Sequence, residues 1–143
     1  MEKKVIILVR NSNKYPSTIM VPILKKTWIK NTRHKVFFVQ GGSEEQKIEG
    51  MDMFLTSPVG YFDMLQKMND SIEYLNENNF EYDYVFITTT GSFINFKEFD
   101  KFIDYLPYNN VYCGPLDFYP PVRPTKEEII PFISGRGIIF SKD

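Results

Sequence analysis

The chain has 143 residues, of which 43% are hydrophobic and 24% charged, and its 17 basic and 18 acidic residues leave a formal net charge of −1. This length and composition suit one folded domain with a hydrophobic core, and the near-neutral charge gives no electrostatic signature of nucleic-acid binding. No apolar run approaches the roughly 20 residues that cross a bilayer, and a single cysteine excludes an internal disulfide. One cysteine and one histidine also cannot supply a usual His/Cys zinc site. We therefore expect a single-domain, cytoplasmic protein with no transmembrane segment and no bound metal.

Strands and helices are predicted to alternate along the chain. Six apolar, often β-branched runs are typical of buried strands: 5–9, 36–39, 53–55, 84–87, 111–113 and 138–140. Three stretches carry apolar residues at helical spacing: Ile19, Ile23, Leu24 and Trp28; Tyr61, Leu65, Met68, Ile72 and Leu75; and Phe99, Phe102, Ile103 and Leu106. Pro22 indicates either a kink in the first helix or a later start of that helix. Asn95 and Glu98 resemble a capping box before the third helix, and 115–131, with five prolines, predicts a loop.

This alternation predicts repeated strand–helix–strand units. Such units build an α/β fold, with a mostly parallel sheet and helices on both of its faces. In open sheets of this kind, ligands bind beyond the carboxyl ends of the strands. Three polar segments follow predicted strands or lead into one: 10–13, 88–92 and 134–137. Their hydroxyls, glycines and guanidinium groups suit an anionic ligand, although the same composition is also common in plain surface loops.

Several familiar site signatures are missing. The chain contains neither a G-x-G-x-x-G nor a G-x-x-x-x-G-K-[ST] phosphate fingerprint, and it has no G-x-S-x-G nucleophile elbow. His34 lies between basic residues just before a strand, so we interpret it as a surface residue rather than a general base. Cys113 lies in an apolar strand and is interpreted as a small buried hydrophobe.

Six short motifs occur in an order that resembles a known family. They are Lys26-Thr27-Trp28-Ile29, Val36 to Gly41, Tyr61 to Lys67, Tyr82 to Asn95, Tyr112-Cys113-Gly114, and Ser134 to Gly137 followed by Ser141 to Asp143. In this order they resemble the N-terminal part of a GT-A-type glycosyltransferase, and most of all the inverting family that contains Fringe and the β1,3-galactosyltransferases. The resemblance implies a Rossmann-like GT-A fold. It also implies that 1–143 is one nucleotide-sugar-binding domain, without the family's C-terminal acceptor and base segment.

Two departures from the family pattern bear on the chemistry. Thr89, Thr90 and Gly91 occupy the position of the family's metal-binding Asp-x-Asp motif. Hydroxyls can hydrogen-bond a phosphate but do not hold a divalent cation as carboxylates do, so we expect no divalent metal and no other cofactor. Arg10 and Arg136 could then clamp the phosphate oxygens instead. The family's general base lies in sequence beyond Asp143, so no catalytic residue can be assigned.

The resemblance predicts transfer of a hexose from a UDP- or GDP-sugar to a glycan or protein hydroxyl, without a metal. A non-catalytic sugar-nucleotide-binding, glycan-binding or interaction domain is the main alternative, and an unrelated flavodoxin-like or nucleotide-binding domain is a third. The residues expected to contact the donor are Arg10, Asn11, Ser12, Lys67, Thr88, Thr89, Thr90, Ser92, Ser134, Gly135 and Arg136.

Overall fold

A computed structural model describes residues 2–60, 63–119, 130–133 and 137–143. Nine strands are found in these residues: β1 Val5–Arg10, β2 Lys35–Gln40, β3 Lys47–Glu49, β4 Asp52–Phe54, β5 Tyr84–Thr89, β6 Tyr112–Cys113, β7 Leu116–Tyr119, β8 Ile130–Ile133 and β9 Ile138–Ser141. The helices are α1 Ser17–Lys26, α2 Met64–Glu77 and α3 Phe96–Tyr105, with a short 3-10 helix at Trp28–Asn31. All six predicted strands are present within one or two residues of their predicted bounds.

Seven of these strands form one mixed sheet in the order β3-β4-β2-β1-β5-β9-β6. The pairs β1–β2, β1–β5 and β2–β4 are parallel. The pairs β3–β4, β5–β9 and β6–β9 are antiparallel. The prediction of a Rossmann-like GT-A fold, with helices on both faces of a mostly parallel sheet, is therefore wrong: the sheet is mixed, and three α-helices accompany its seven strands in the described part of the chain.

Of these antiparallel pairs, only β3–β4 joins two successive strands. β3 and β4 form a hairpin, and Gly50 in its turn has a φ of +60°, a left-handed conformation that glycine adopts without strain. Near the opposite end of the strand order, β9 lies between β5 and β6 and runs antiparallel to both. A short buried apolar run reads alike in either direction, so the sequence pattern carried no information on strand direction.

The core lies on both faces of the sheet because successive side chains of a strand point in opposite directions. Val5, Ile7 and Val9 of β1 belong to one buried cluster, while Ile6 and Leu8 belong to another. The first cluster includes helix residues Leu24, Trp28 and Ile103, and the second includes Met68 and Leu75. The parallel strands β1, β2 and β5 are thereby fixed in the middle of the structure.

Some local predictions need correction. Ile19, Ile23 and Leu65 were expected to face the core but are exposed. Pro22 lies inside α1, which nevertheless begins at Ser17. The predicted loop 115–131 contains β7 and the start of β8, which pair antiparallel in a separate two-stranded sheet.

Two single-residue predictions also need correction. His34 is buried rather than on the surface, and Cys113 is only partly buried. None of the helices in the described residues is of sufficient length and apolar character to span a membrane.

Candidate functional site

Three parallel strands end together at one edge of the sheet. Arg10, the last residue of β1, is opposite Val39 of β2 and opposite Thr89 of β5. We call this edge, marked by Arg10, Gln40 and Thr89, the carboxyl edge. It is where the sequence predicted a ligand site, and most of the described candidate residues lie on it.

On the β5 side of the carboxyl edge, hydroxyl groups form hydrogen-bonded pairs. The hydroxyl oxygen of Thr90 is 3.4 Å from that of Ser17 at the start of α1, and the hydroxyl oxygen of Thr89 is 3.2 Å from that of Ser92. The Ser92 amide also donates to the Thr89 carbonyl at 3.1 Å, which closes a tight turn. Thr88 is 0% exposed, so its side chain lies below the surface that a ligand would reach.

The metal site of the resembled family does not fit these residues. Thr89 and Thr90 carry no charge, and their hydroxyls already have partners in Ser92 and Ser17. A divalent cation prefers carboxylate oxygens, which this turn does not offer. Within the described ranges, no group of three or more His, Cys, Asp or Glu side chains is arranged to hold a metal ion.

On the β2 side, the chain after β2 packs closely against the segment before α2. The Gly42 amide donates to the Ser57 carbonyl at 2.7 Å, and the Ser43 amide donates to the Leu55 carbonyl at 3.0 Å. A Cβ atom on Gly41 would lie 2.4 Å from the Ser57 carbonyl oxygen and 3.2 Å from Cε of Lys67. Only glycine fits at position 41, and its lack of a side chain leaves room for the lysine.

Lys67 is a buried cation at this point of the edge. The residue is 6% exposed, and no hydrogen bond or ion pair among the described residues engages its ammonium group. Burial lowers the pKa of Lys67, and the nearby Asp63 carboxylate acts in the opposite direction. Most of the side chain is buried but its ammonium nitrogen is not fully enclosed, so an anionic ligand can reach it and offset the cost of the burial.

Arg10 lies against the same helix. One of its terminal guanidinium nitrogens contacts the sulfur of Met64, which is three residues before Lys67 on α2. Residues three apart share a helix face, so Arg10 and Lys67 lie along one side of α2. Arg10 is partly buried, and its side chain has further interactions within the protein.

Asn11 and Ser12 continue from β1 across the edge. The Asn11 amide donates to the Val39 carbonyl at 2.9 Å, and the Asn11 side-chain nitrogen is 3.4 Å from Oε1 of Gln40. The Ser12 hydroxyl accepts from the Lys14 amide at 3.2 Å. Both side chains therefore shape the loop after β1.

Two residues that border this site, Asp63 and Gly41, were not predicted as site residues. A glycine directly after a buried strand is nevertheless a usable signal for close approach of the backbone. Three predicted site residues lie outside the part of the chain that the structure describes. Ser134, Gly135 and Arg136 lie outside the described residues. The described part of the predicted site thus divides into a neutral hydroxyl side at β5 and a cationic side at β2.

A cleft of about 390 Å³ lies at the opposite, amino edge of the sheet, bordered by Lys4, Arg33 and His34 among others. Two of its cations have acidic partners, since Lys4 pairs with Glu81 and Arg33 pairs with Glu2, and Lys35 lies over the ring of Phe80. The buried His34 lies 2.7 Å from Asp100. The carboxyl edge holds the largely buried Lys67, whose ammonium has no bonded partner among the described residues, so it is the better candidate for an anion site.

No protein-family model matches this chain, and no curated protein matches its sequence. The assignment of a function therefore depends on the carboxyl edge itself.

Proposed function

We propose that the chain binds the diphosphate of a UDP- or GDP-sugar at the carboxyl edge and transfers its hexose to a glycan or protein hydroxyl without a divalent metal. The observation that carries the proposal is the presence of Arg10 and the buried Lys67 beside the ends of two neighbouring parallel strands. Guanidinium and ammonium groups are the protein groups that best neutralise phosphate oxygens when no metal is bound. The order of the six sequence motifs is a second support.

In an inverting transfer of this kind, the hexose carbon exchanges its bond to the diphosphate oxygen for a bond to the acceptor oxygen. The acceptor hydroxyl gives its proton to a base, and the leaving diphosphate carries away the electron pair of the broken bond. Arg10 and Lys67 would stabilise the charge that develops on the leaving diphosphate. The base is not assigned.

A second candidate function is a non-catalytic domain that binds a sugar nucleotide or a glycan. The hydroxyls of Thr89 and Thr90 favour it, because they bond to Ser92 and Ser17 and so have a structural role. A domain of this kind would keep the cations of the β2 side and perform no transfer.

Thermal unfolding of the full chain with UDP and with GDP, in EDTA, tests both candidates. At about 100 times its Kd, a ligand adds about 2.7 kcal/mol, which for a chain of this size raises the Tm by roughly 5–10 °C. Incubation with UDP- and GDP-hexoses, followed by assay of the released nucleoside diphosphate, then separates them. Release of UDP or GDP supports the transferase, and stabilisation without release supports the binding domain. The absence of any Tm shift would exclude the transferase and a domain that binds a sugar nucleotide.

The cytoplasmic location is part of this proposal. The single cysteine means that no internal disulfide calls for an oxidising compartment. Imaging of the tagged full chain in its own cells would test the location directly.

A further inference from the structure

Two exposed aromatic side chains lie on the loops that follow β1 and β5. Tyr15, between β1 and α1, is 79% exposed, and Phe93, between β5 and α3, is 75% exposed. The strands β1 and β5 are parallel neighbours, and their last residues, Arg10 and Thr89, are opposite one another. Both loops therefore leave the sheet side by side at the carboxyl edge. We call Tyr15 and Phe93 the aromatic pair.

The two loops are also joined to each other. The hydroxyl oxygen of Ser17, two residues after Tyr15, is 3.4 Å from that of Thr90, three residues before Phe93. Ser17 and Thr90 are buried, and so is Ile94, which belongs to the first core cluster. The backbone near each aromatic residue is thus anchored, while the ring itself stays on the surface. In the described structure neither ring contacts another ring or forms a hydrogen bond, so the fold does not use the pair.

The surroundings of the aromatic pair are polar and almost uncharged. In the two loops, residues 11–16 and 90–95, Lys14 is the one charged residue. The hydroxyls of Thr89 and Ser92 are 3.2 Å apart and only half-buried. Their mutual hydrogen bond uses one of the two hydroxyl hydrogens, so one donor and several lone pairs remain for a ligand. Exposed aromatic rings beside free hydroxyls suit a ligand that is apolar on one face and rich in hydroxyls at its rim.

We propose that the aromatic pair binds a neutral sugar ring of a glycan, and that this glycan is the acceptor. The C–H face of a sugar packs against an aromatic ring, and its hydroxyls can bond to Thr89 and Ser92. The role of the glycan as acceptor rests on the proposed function, because the diphosphate then occupies the cationic side at β2, across β1 from the pair. The binding of the glycan does not depend on that function. A glycan is thereby favoured over a protein as the acceptor.

A glycan array probed with the fluorescently labelled full chain tests the binding. We expect neutral glycans to be bound, and calorimetry with the best of them as a free oligosaccharide to show a weaker affinity, by about fivefold or more, in Tyr15→Ser and in Phe93→Ser. Both side chains are exposed, so both variants should fold, and thermal unfolding checks this. Tyr105→Ser is the matched control, because Tyr105 is 88% exposed at the far end of α3. It should bind the glycan as the wild type does.

Other results would overturn the inference. They are an array with no bound glycan, a preference for acidic glycans, or equal affinities in wild type, Tyr15→Ser and Phe93→Ser. Loss of UDP binding in the two variants would assign the rings to the nucleobase instead.

The same proteins separate this inference from the proposed function. If sugar nucleotides are turned over and the acceptor KM is unchanged in both variants, the aromatic pair is wrong and the transferase stands. If glycans bind through the pair but no sugar nucleotide is turned over, the glycan site stands and the transferase proposal fails.

Discussion

The imidazole of His34 lies between the start of β2 and helix α3. Its Nε2 is 2.7 Å from Oδ1 of Asp100, its side chain is 2% exposed, and its ring packs against Phe96 and Phe99. Burial lowers the pKa of His34 from its ordinary value of 6.5, while Asp100 and Glu2 raise it and Arg33 lowers it further. The neutral imidazole is therefore the form that the fold favours, with Nε2–H donating to Asp100.

This burial makes stability depend on pH. Because the pKa of His34 is lower in the folded chain, the unfolded chain binds the proton more tightly, and the contribution to stability is fully present only above about pH 6.5. We expect the free energy of unfolding, measured with urea, to fall between about pH 7.5 and about pH 5.5, and to fall less in His34→Gln. His34 is the only histidine of the chain, so the difference between the two proteins reports on it. A wild type that is more stable at the lower pH would mean that the ion pair with Asp100 outweighs burial.

At the scale of elements, the C-terminus of α3 depends on a residue from the other end of the chain. The Lys3 ammonium donates to the carbonyl oxygens of Ile103 and Asp104, each at 3.0 Å, and to that of Leu106. The last carbonyls of a helix have no partner within the helix, and α3 has no basic residue in its last turn. Lys3 supplies both the missing donors and the favourable charge.

Replacement of Lys3 should therefore destabilise the chain. We expect Lys3→Met to lower the free energy of unfolding by about 1–3 kcal/mol, because the Asp104 carbonyl loses the Lys3 donor, while the Ile103 carbonyl keeps the Leu106 amide and the Leu106 carbonyl keeps the Tyr84 hydroxyl. Lys4→Met is the neighbouring control. Lys4 is exposed and pairs only with the exposed Glu81, so its loss should change stability little. Chemical denaturation of the two variants measures the difference, and equal losses would contradict the capping role.

The elements also explain which predictions succeeded. Runs such as Val5–Arg10 are buried on both faces, and an unbroken apolar run reveals such a strand directly. Strand direction has no such signal, and so the strand at β9 was predicted but its antiparallel direction was not. The prediction that the apolar residues at helical spacing face the core was wrong at Ile19 and Leu65, because an apolar residue can also occupy the exposed face of a helix.

The candidate site could be predicted only in part. Arg10 and Lys67 were named from polar strand ends and from the family resemblance, and the structure brings both beside the first turn of α2. Thr88 was named on the same grounds but is fully buried, because both faces of β5 are covered at this point and its neighbour Ile87 is buried as well. The role of Gly41 depends on how the Ser57 and Pro58 carbonyls pack against it, which no local pattern encodes.

At the scale of the whole molecule, the two edges of the parallel strands differ in charge pairing. At the amino edge, Lys4 and Arg33 each have an acidic partner, and Lys35 lies over the ring of Phe80. At the carboxyl edge, Lys67 has none among the described residues. A diphosphate should therefore bind at the carboxyl edge.

Amide chemical-shift mapping on the ¹⁵N-labelled chain, titrated with UDP in EDTA, locates the ligand directly. The account predicts a saturable titration whose largest shifts fall on residues 10–12, 40–43 and 63–67. A chain that shows no shifts as UDP is added, or shifts confined to residues 2–6 and 33–35 at the amino edge, would contradict it.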